Sequence, residues 1–304
     1  MPNSQKTKAE IAKRRFGKSL CTVWCTRQAY YESMEHFKKT SIAHMIVLTM
    51  IKDTRDDMPL LGTRRAYFLL KPEFIKHGIK MGRDQLFDLL RFHGLLIRRR
   101  KRMVQTTNSN HWLKRYPNLI KQMCITDPEQ LWVSDITYIR TLQGFTDAYS
   151  RKIVGYSLHD TLEASSCINA LRMAIANRKY KLPFSLVHHS DRGVQYCCAE
   201  YVDILNEDKI AISMTQSGIP YDNALAERVN GIIKNEFYPK RVYQNHKEAS
   251  KALSRIIDIY NSKRPHGSIN YLTPEQAHKE MGILKKQWKQ YRRFKKPAVV
   301  LELT

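Results

Sequence analysis

Three carboxylates are set into apolar stretches of this chain. Asp135 lies in "LWVSDITYIR", Asp191 ends "SLVHHSD", and Glu227 falls in "DNALAERVNGIIKNEF". The interval between the last two is 35 residues (227 − 191 − 1). Each acid alone has a plainer reading, as an edge residue of a strand or a solvated position on a helix. Brought together, like charges raise one another's pKa, so such a set must take up protons or hold cations. Hard carboxylate oxygens suit Mg²⁺ or Mn²⁺, which keep some of their water and also bind phosphate oxygens. Two such ions about 3.5–4 Å apart can activate an attacking oxygen and stabilise the leaving one in an in-line phosphoryl transfer.

The surrounding pattern supplies elements to position them. Asp135 is central in a strand read over residues 131–140, among Trp132, Val133, Ile136, Tyr138 and Ile139. Asp191 closes a strand over 184–191, at the carboxyl edge where open α/β sheets place ligands. A helix over 221–237 gathers Leu225, Val229, Ile232, Ile233 and Phe237 on one face and presents Glu227, Gly231 and Lys234 on the other. Further strands are read over 152–160 and 210–217, and helices over 163–178, 198–208 and 247–264. Thr273 caps a last helix with Pro274 at its first position. Strands alternating with helices make this an α/β domain.

The region before it is helical. Ile42, Met45, Ile46 and Met50 share a face; Leu86, Leu89 and Leu90 form a stripe that Gly94 ends. Three short helices with glycine-containing turns suggest a helix-turn-helix-like module with 82–93 as recognition helix. Upstream, residues 20–32 read as a short helix, a turn at Cys25 and Thr26, and a second helix capped by Thr26. The divisions are a basic helical segment 1–40, the module 41–105, a polar linker 106–125, the α/β core 126–282 and a basic tail 283–304. In that tail Trp288, Tyr291 and Phe294 alternate with seven basic residues, a pattern that can stack on bases or grip phosphates.

Charge narrows the partner. The 304 residues hold 52 Lys and Arg against 28 Asp and Glu, a formal net charge of +24, which favours polyanions. No apolar run approaches the roughly 20 residues of a spanning helix, and residues 1–15 contain no signal-peptide core. The expectation is a double-stranded DNA partner, no membrane, and a cytoplasmic, nucleoid-associated location. Candidate DNA contacts are Arg98, Arg99 and Arg100 in the run "RRRKR", with Arg64, Arg65 and Arg83 in the module and Asn223 ahead of Glu227. The six cysteines lack zinc-ligand spacing, so reduced thiols are expected.

The segments "HHSDRGVQY", "QSGIPYDNALAERVNGIIKNE" and "YNSKRPHGSINYLTPEQA", with the acid spacing, resemble bacterial insertion-sequence transposases of the DDE, or retroviral-integrase, superfamily. The resemblance covers nearly the whole chain. It implies a ribonuclease-H-like mixed sheet of about five strands flanked by helices and preceded by an all-α helix-turn-helix-like module. It makes Asp135, Asp191 and Glu227 the catalytic, metal-binding triad for two Mg²⁺ or Mn²⁺ ions, and Lys234 a contact to terminal nucleotides of a transposon end. It further implies a homo-oligomer on DNA, and an upstream-frame helix-turn-helix protein as partner or frameshift fusion. The expected activity is metal-dependent DNA cleavage and strand transfer. A remnant that binds DNA without catalysis is the alternative.

One departure bears on the site. The family carries a further strand where "GF" here runs directly into "TD", so about one strand's worth of residues, roughly 5–6, is absent after Phe145. If "FTDAYS" (145–150) substitutes, residues 142–144 form a tight turn. Thr146, Ala148 and Ser150 then share one face and Phe145, Asp147 and Tyr149 the other. Neither is a strong core face, so a short or irregular strand and local instability beside Asp135 are expected.

Overall fold

The computed structural model describes residues 27–97, 113–121, 123–137, 142–159, 164–179, 186–216, 223–237, 243 and 245–285. Helix α1 (Arg27–Asp57) is followed by α2 (Thr63–Lys76) and α3 (Arg83–Phe92). Then come β1 (Leu131–Thr137), β2 (Leu142–Asp147), β3 (Ile153–Leu158) and α4 (Ala164–Ala176). Strand β4 (Val187–Ser190), a short α5 (Val194–Cys197), α6 (Ala199–Glu207) and β5 (Ala211–Met214) complete the sheet region. Helix α7 (Ala224–Ile232) widens into a π-helical turn, Ile233–Phe237, before α8 (His246–Lys263) and the short α9 (Pro274–Ala277). The sheet order is β3-β2-β1-β4-β5. Strands β1 to β3 are antiparallel, and β4 and β5 run parallel to β1. This mixed five-stranded sheet flanked by helices is ribonuclease-H-like, as expected.

The middle strand corrects the expectation for it. Strand β2 is "LQGFTD", and it pairs with β1 at six positions from Trp132↔Asp147 to Thr137↔Leu142. Residues 142–144 are therefore strand and not turn, and Ala148 to Ser150 are turn and not strand. Asp147 is the reason. Its carboxylate accepts hydrogen bonds from the amides of Ser150 (2.8 Å) and Glu129 (2.9 Å), so the side chain that ends β2 also builds the turn into β3. Phe145, fully buried, pins the register. The one irregularity is a register shift against β3 between Phe145 and Thr146. The expected instability beside Asp135 has no counterpart in this pairing.

Alternation along β1 sends side chains to two cores. Trp132 packs with Phe145, α4 and α6 on one face; Leu131 and Val133 pack with Ala226 of α7 on the other. Strand β3 lies so close to α4 that a Cβ at Gly155 would stand 2.3 Å from the Ala170 carbonyl oxygen, so only glycine fits there. Residues 113–121, read as linker, are laid against β5: Met214 donates its amide to the Pro117 carbonyl (3.2 Å), and Leu119 donates to the Ser213 hydroxyl (2.9 Å).

The helical module differs from its reading in one face. Helix α1 runs unbroken for 31 residues, across the division proposed at 40/41. Its buried side chains are Val47 and Ile51, whereas Ile42 and Met45 are 59% and 69% exposed. The apolar residues of α1 cover more than one face, and sequence alone did not reveal which one packs. Helix α3 buries Leu86, Leu89 and Leu90, and Gly94 at φ 66° follows its end, as expected. The Thr26 cap, the Arg98–Arg100 run and the 286–304 tail lie outside the described residues.

Helices α1 to α3 share an apolar cluster with α7 and α8, so module and core are packed together. Glu236, in the π-helical turn, receives two hydrogen bonds from Arg264 (both 2.9 Å) and pairs with Arg65 (3.2 Å). Arg264 is fully buried and donates its remaining guanidinium nitrogen to His266 (2.8 Å). Asp57 at the end of α1 pairs with Lys263 and Arg255 of α8.

A second buried polar cluster ties α9 to the sheet. His278 lies 3.5 Å from Glu129 and 3.6 Å from Asp147, with the Ser150 hydroxyl at 3.1 Å; Arg178 faces Glu129. Burial pulls the imidazole pKa down and Lys152 opposes its charge, but hydrogen bonding to Asp147 and Glu129, with the charge of Asp147, outweighs them and raises it above 6.5. A raised pKa means that the cationic form favours folding. The contribution is full below pH 6.5 and is lost as pH rises through the raised value. The unfolding midpoint of the wild type should therefore fall across that window more steeply than that of His278→Gln. Parallel pH profiles would contradict the charged clamp.

Candidate active site

Asp135 is buried at 7% exposure on the face of β1 that meets α7. Strand β4 pairs with β1 only as far as Val133↔His189, so Ser134 and Asp135 extend beyond it. Two asparagines, Asn223 at the N-cap of α7 and Asn230 within it, take up the slack. Asn223 donates to the Ser134 carbonyl (2.8 Å), and Asn230 donates to the Asp135 carbonyl (3.1 Å) and to its Oδ2 (3.2 Å). Asp191 follows β4 directly and accepts the Gly193 amide (2.9 Å), which shapes the turn into α5. Arg192 braces that turn by donating to the Thr215 carbonyl beyond β5 (2.6 Å). Glu227 stands exposed in the first turn of α7.

The electrostatics link the three acids. Burial drives the Asp135 carboxyl up, the Asn230 hydrogen bond opposes this, and the charges of Asp191 and Glu227 add to the rise, leaving it at about 7. Burial likewise raises Asp191, against the Gly193 amide. Both neighbours are therefore close enough to act on Asp135. They do not form a closed ligand cage: among the described residues no three His, Cys, Asp or Glu side chains are gathered tightly enough to hold a metal ion. Beneath them His188 is fully buried, contacts the Ser134 hydroxyl (2.8 Å) and Tyr201 (3.2 Å), and is held neutral by burial, its pKa lowered to about 3.

The candidate DNA contacts divide. Arg64 and Arg83 are exposed on the module, and Lys234 is half-buried on the π-helical turn beyond Glu227. Arg65 is instead committed to Glu236, and Asn223 is 6% exposed with its amide on β1. Asn223 is corrected from a DNA contact to a buried clamp on β1, its amide nitrogen engaged and its Oδ1 without a partner among the described residues, whereas Arg65 is paired with Glu236 yet stays partly exposed. The expected apolar stripe of α7 holds for Val229, Ile232, Ile233 and Phe237, while Leu225 stays half-exposed and Ala226 and Asn230 join the buried set. Asn230 was missed; a lone amide within an apolar helix stripe was its only signal.

The fold thus places Asp135 on β1, Asp191 just past the adjacent parallel strand and Glu227 on the helix that follows the sheet. Two models described as "Integrase core domain" match residues 126–220 and 208–274. An insertion element IS600 uncharacterized 31 kDa protein from Shigella sonnei is 34% identical over 84% of this chain and 96% of its own length. The transposase for insertion sequence element IS629 from the same organism is 31% identical over 68% and 71%. The chain belongs to the bacterial insertion-sequence transposases of the DDE, or retroviral-integrase, superfamily. Among solved structures, the HTLV-2 integrase catalytic core domain in complex with magnesium matches 50% of this chain and 97% of its own at 21% identity, with a TM-score of 0.39. Among the described residues no helix is long and apolar enough to cross a membrane.

Proposed function

We propose that this chain binds the ends of its element and catalyses metal-dependent DNA cleavage and strand transfer through Asp135, Asp191 and Glu227. The observation that carries the reading is the placement of a buried Asp135 on β1, Asp191 just past the adjacent parallel strand β4, and Glu227 in the first turn of α7, which packs on the Asp135 face of β1. A buried carboxylate facing two others favours a proton or a cation, and hard oxygen donors of this kind suit Mg²⁺ or Mn²⁺. When bound, such ions supply activation of an attacking oxygen and stabilisation of the leaving one. The chain's own residues supply position. Asn223 and Asn230 hold the β1 backbone, the Gly193 amide orients Asp191, and the neutral His188 supports Ser134 from below without adding charge. Arg64, Arg83 and Lys234 are available to DNA phosphates, with salt-sensitive affinity. Several copies acting on one pair of ends would give a homo-oligomer on DNA.

A cleavage-and-joining assay tests this. The full chain is incubated with duplexes carrying the inverted ends of its element and Mg²⁺. A newly exposed 3′-hydroxyl and joined products are expected. Bound but uncut DNA would favour a DNA-binding remnant instead.

A further inference from the structure

A cleft of about 410 Å³ opens between the helical module and the loop before α9. It is lined by Arg64, Tyr67 and Phe68 of α2, Arg83 and Asp84 of α3, and Tyr271. Neither β1, α7 nor the turn after β4, which carry the acids, contributes to it. The Phe68 and Tyr271 rings are stacked, with centroids 3.6 Å apart and planes 14° from parallel, and Phe68 is 36% exposed.

The backbone that presents Tyr271 is strained. Asn270 and Tyr271 both have φ of 58°, a left-handed conformation that an aromatic residue rarely adopts. Such strain persists only where the surroundings over-determine it, and it concentrates at functional positions. Here the Tyr271 and Ile269 amides both donate to the His266 carbonyl (2.9 and 3.1 Å), and His266 donates its own to Leu272 (3.0 Å). His266 is in turn fixed by buried Arg264. The fold thus holds one aromatic ring at the surface, against a second ring and beside two arginines.

We infer that this cleft receives an unpaired nucleotide of the bound DNA, with its base on the aromatic pair and its phosphate on Arg64 or Arg83. The inference rests on the DNA-binding reading above. Ring faces offer stacking that tolerates any base, and guanidinium groups offer the charge for the backbone. Asp84 argues for a base and against a phosphate alone. A carboxylate repels phosphate but accepts from the amino group of a base, and its exposed pair with Arg83 (2.8 Å) is weak enough to exchange.

The test compares the full chain on two element-end duplexes, one flush and one with a short unpaired extension carrying 2-aminopurine. The extended duplex should bind more tightly by roughly 5- to 100-fold, the range of one base–aromatic stack, with quenching of the probe. Phe68→Leu and Tyr271→Leu should each lose the preference and the quenching. The exposed Phe68 site guards against misfolding, and flush-duplex affinity should stay unchanged in that variant. Equal affinity of the wild type for both duplexes would overturn the inference while leaving DNA binding standing. So would an Arg83→Gln variant weakened on both duplexes alongside a Phe68→Leu variant weakened on neither, since that is a phosphate contact only. Failure of the wild type to bind either duplex would overturn the DNA-binding reading, and this proposal with it.

Discussion

Asp191→Asn and Glu227→Gln are each expected to abolish strand transfer while leaving DNA binding intact. Each substitution keeps shape and removes one of the two charges that act on the buried Asp135 carboxyl. If the carboxylates hold the ions, losing one withdraws several kcal/mol of transition-state stabilisation, which is roughly a thousandfold or more in rate. Binding should be spared because the proposed phosphate contacts are the exposed arginines of the module and not the acids. Asp135→Asn should behave alike in catalysis, with an added structural effect, since the buried Asp135 carboxylate accepts from Asn230. Oligonucleotide cleavage measured beside gel-shift affinity separates the two effects. Near wild-type cleavage by Asp191→Asn or Glu227→Gln would remove the triad assignment.

The second large effect is expected far from the acids, at Glu236. Arg264 is fully buried and takes both of its carboxylate bonds from this one residue, with Arg65 sharing it. Glu236→Ala strands a buried guanidinium. Breaking a buried pair from one side is destabilising by about 3–5 kcal/mol, and the partial exposure of Glu236 puts this case near the lower end. The midpoint of thermal unfolding should fall by on the order of 5–10 °C. A functional consequence should follow, because Glu236 lies at the end of the helical run that carries Glu227. A midpoint within about 1 °C of wild type would mean that Arg264 finds another partner.

Much of this was legible in the sequence where local rules and tertiary packing agree. The stripe of Leu86, Leu89 and Leu90, the Gly94 stop and the Thr273 cap, whose hydroxyl accepts the Gln276 amide at 3.2 Å, follow from local rules and appear as read. The placement of Asp191 just past a buried strand was legible too, because "SLVHH" is short, apolar at its start and followed by a turn. Strand β2 was not. "LQGFTD" has no clean alternation, and its register is set by Phe145 in the distant α4–α6 core and by Asp147 in the turn. Nor were the partners of Arg65 and Asn223 legible. Their residue types suit DNA equally well, and only long-range contacts, 171 residues for Arg65 with Glu236 and 89 for Asn223 with Ser134, tie them to the protein. The π-helical turn after Ile232 likewise escaped a wheel drawn at a uniform helical period.

We take the three acids of this basic chain to be there to carry metal. The most direct measurement is a count of bound Mn²⁺ by electron paramagnetic resonance, on the full chain held to a duplex carrying its element's end. About two ions per site are expected for the wild type, with loss of tight binding in the combined Asp135→Asn, Asp191→Asn and Glu227→Gln variant. An unchanged Mn²⁺ count and affinity in that variant, still bound to DNA, would contradict the claim.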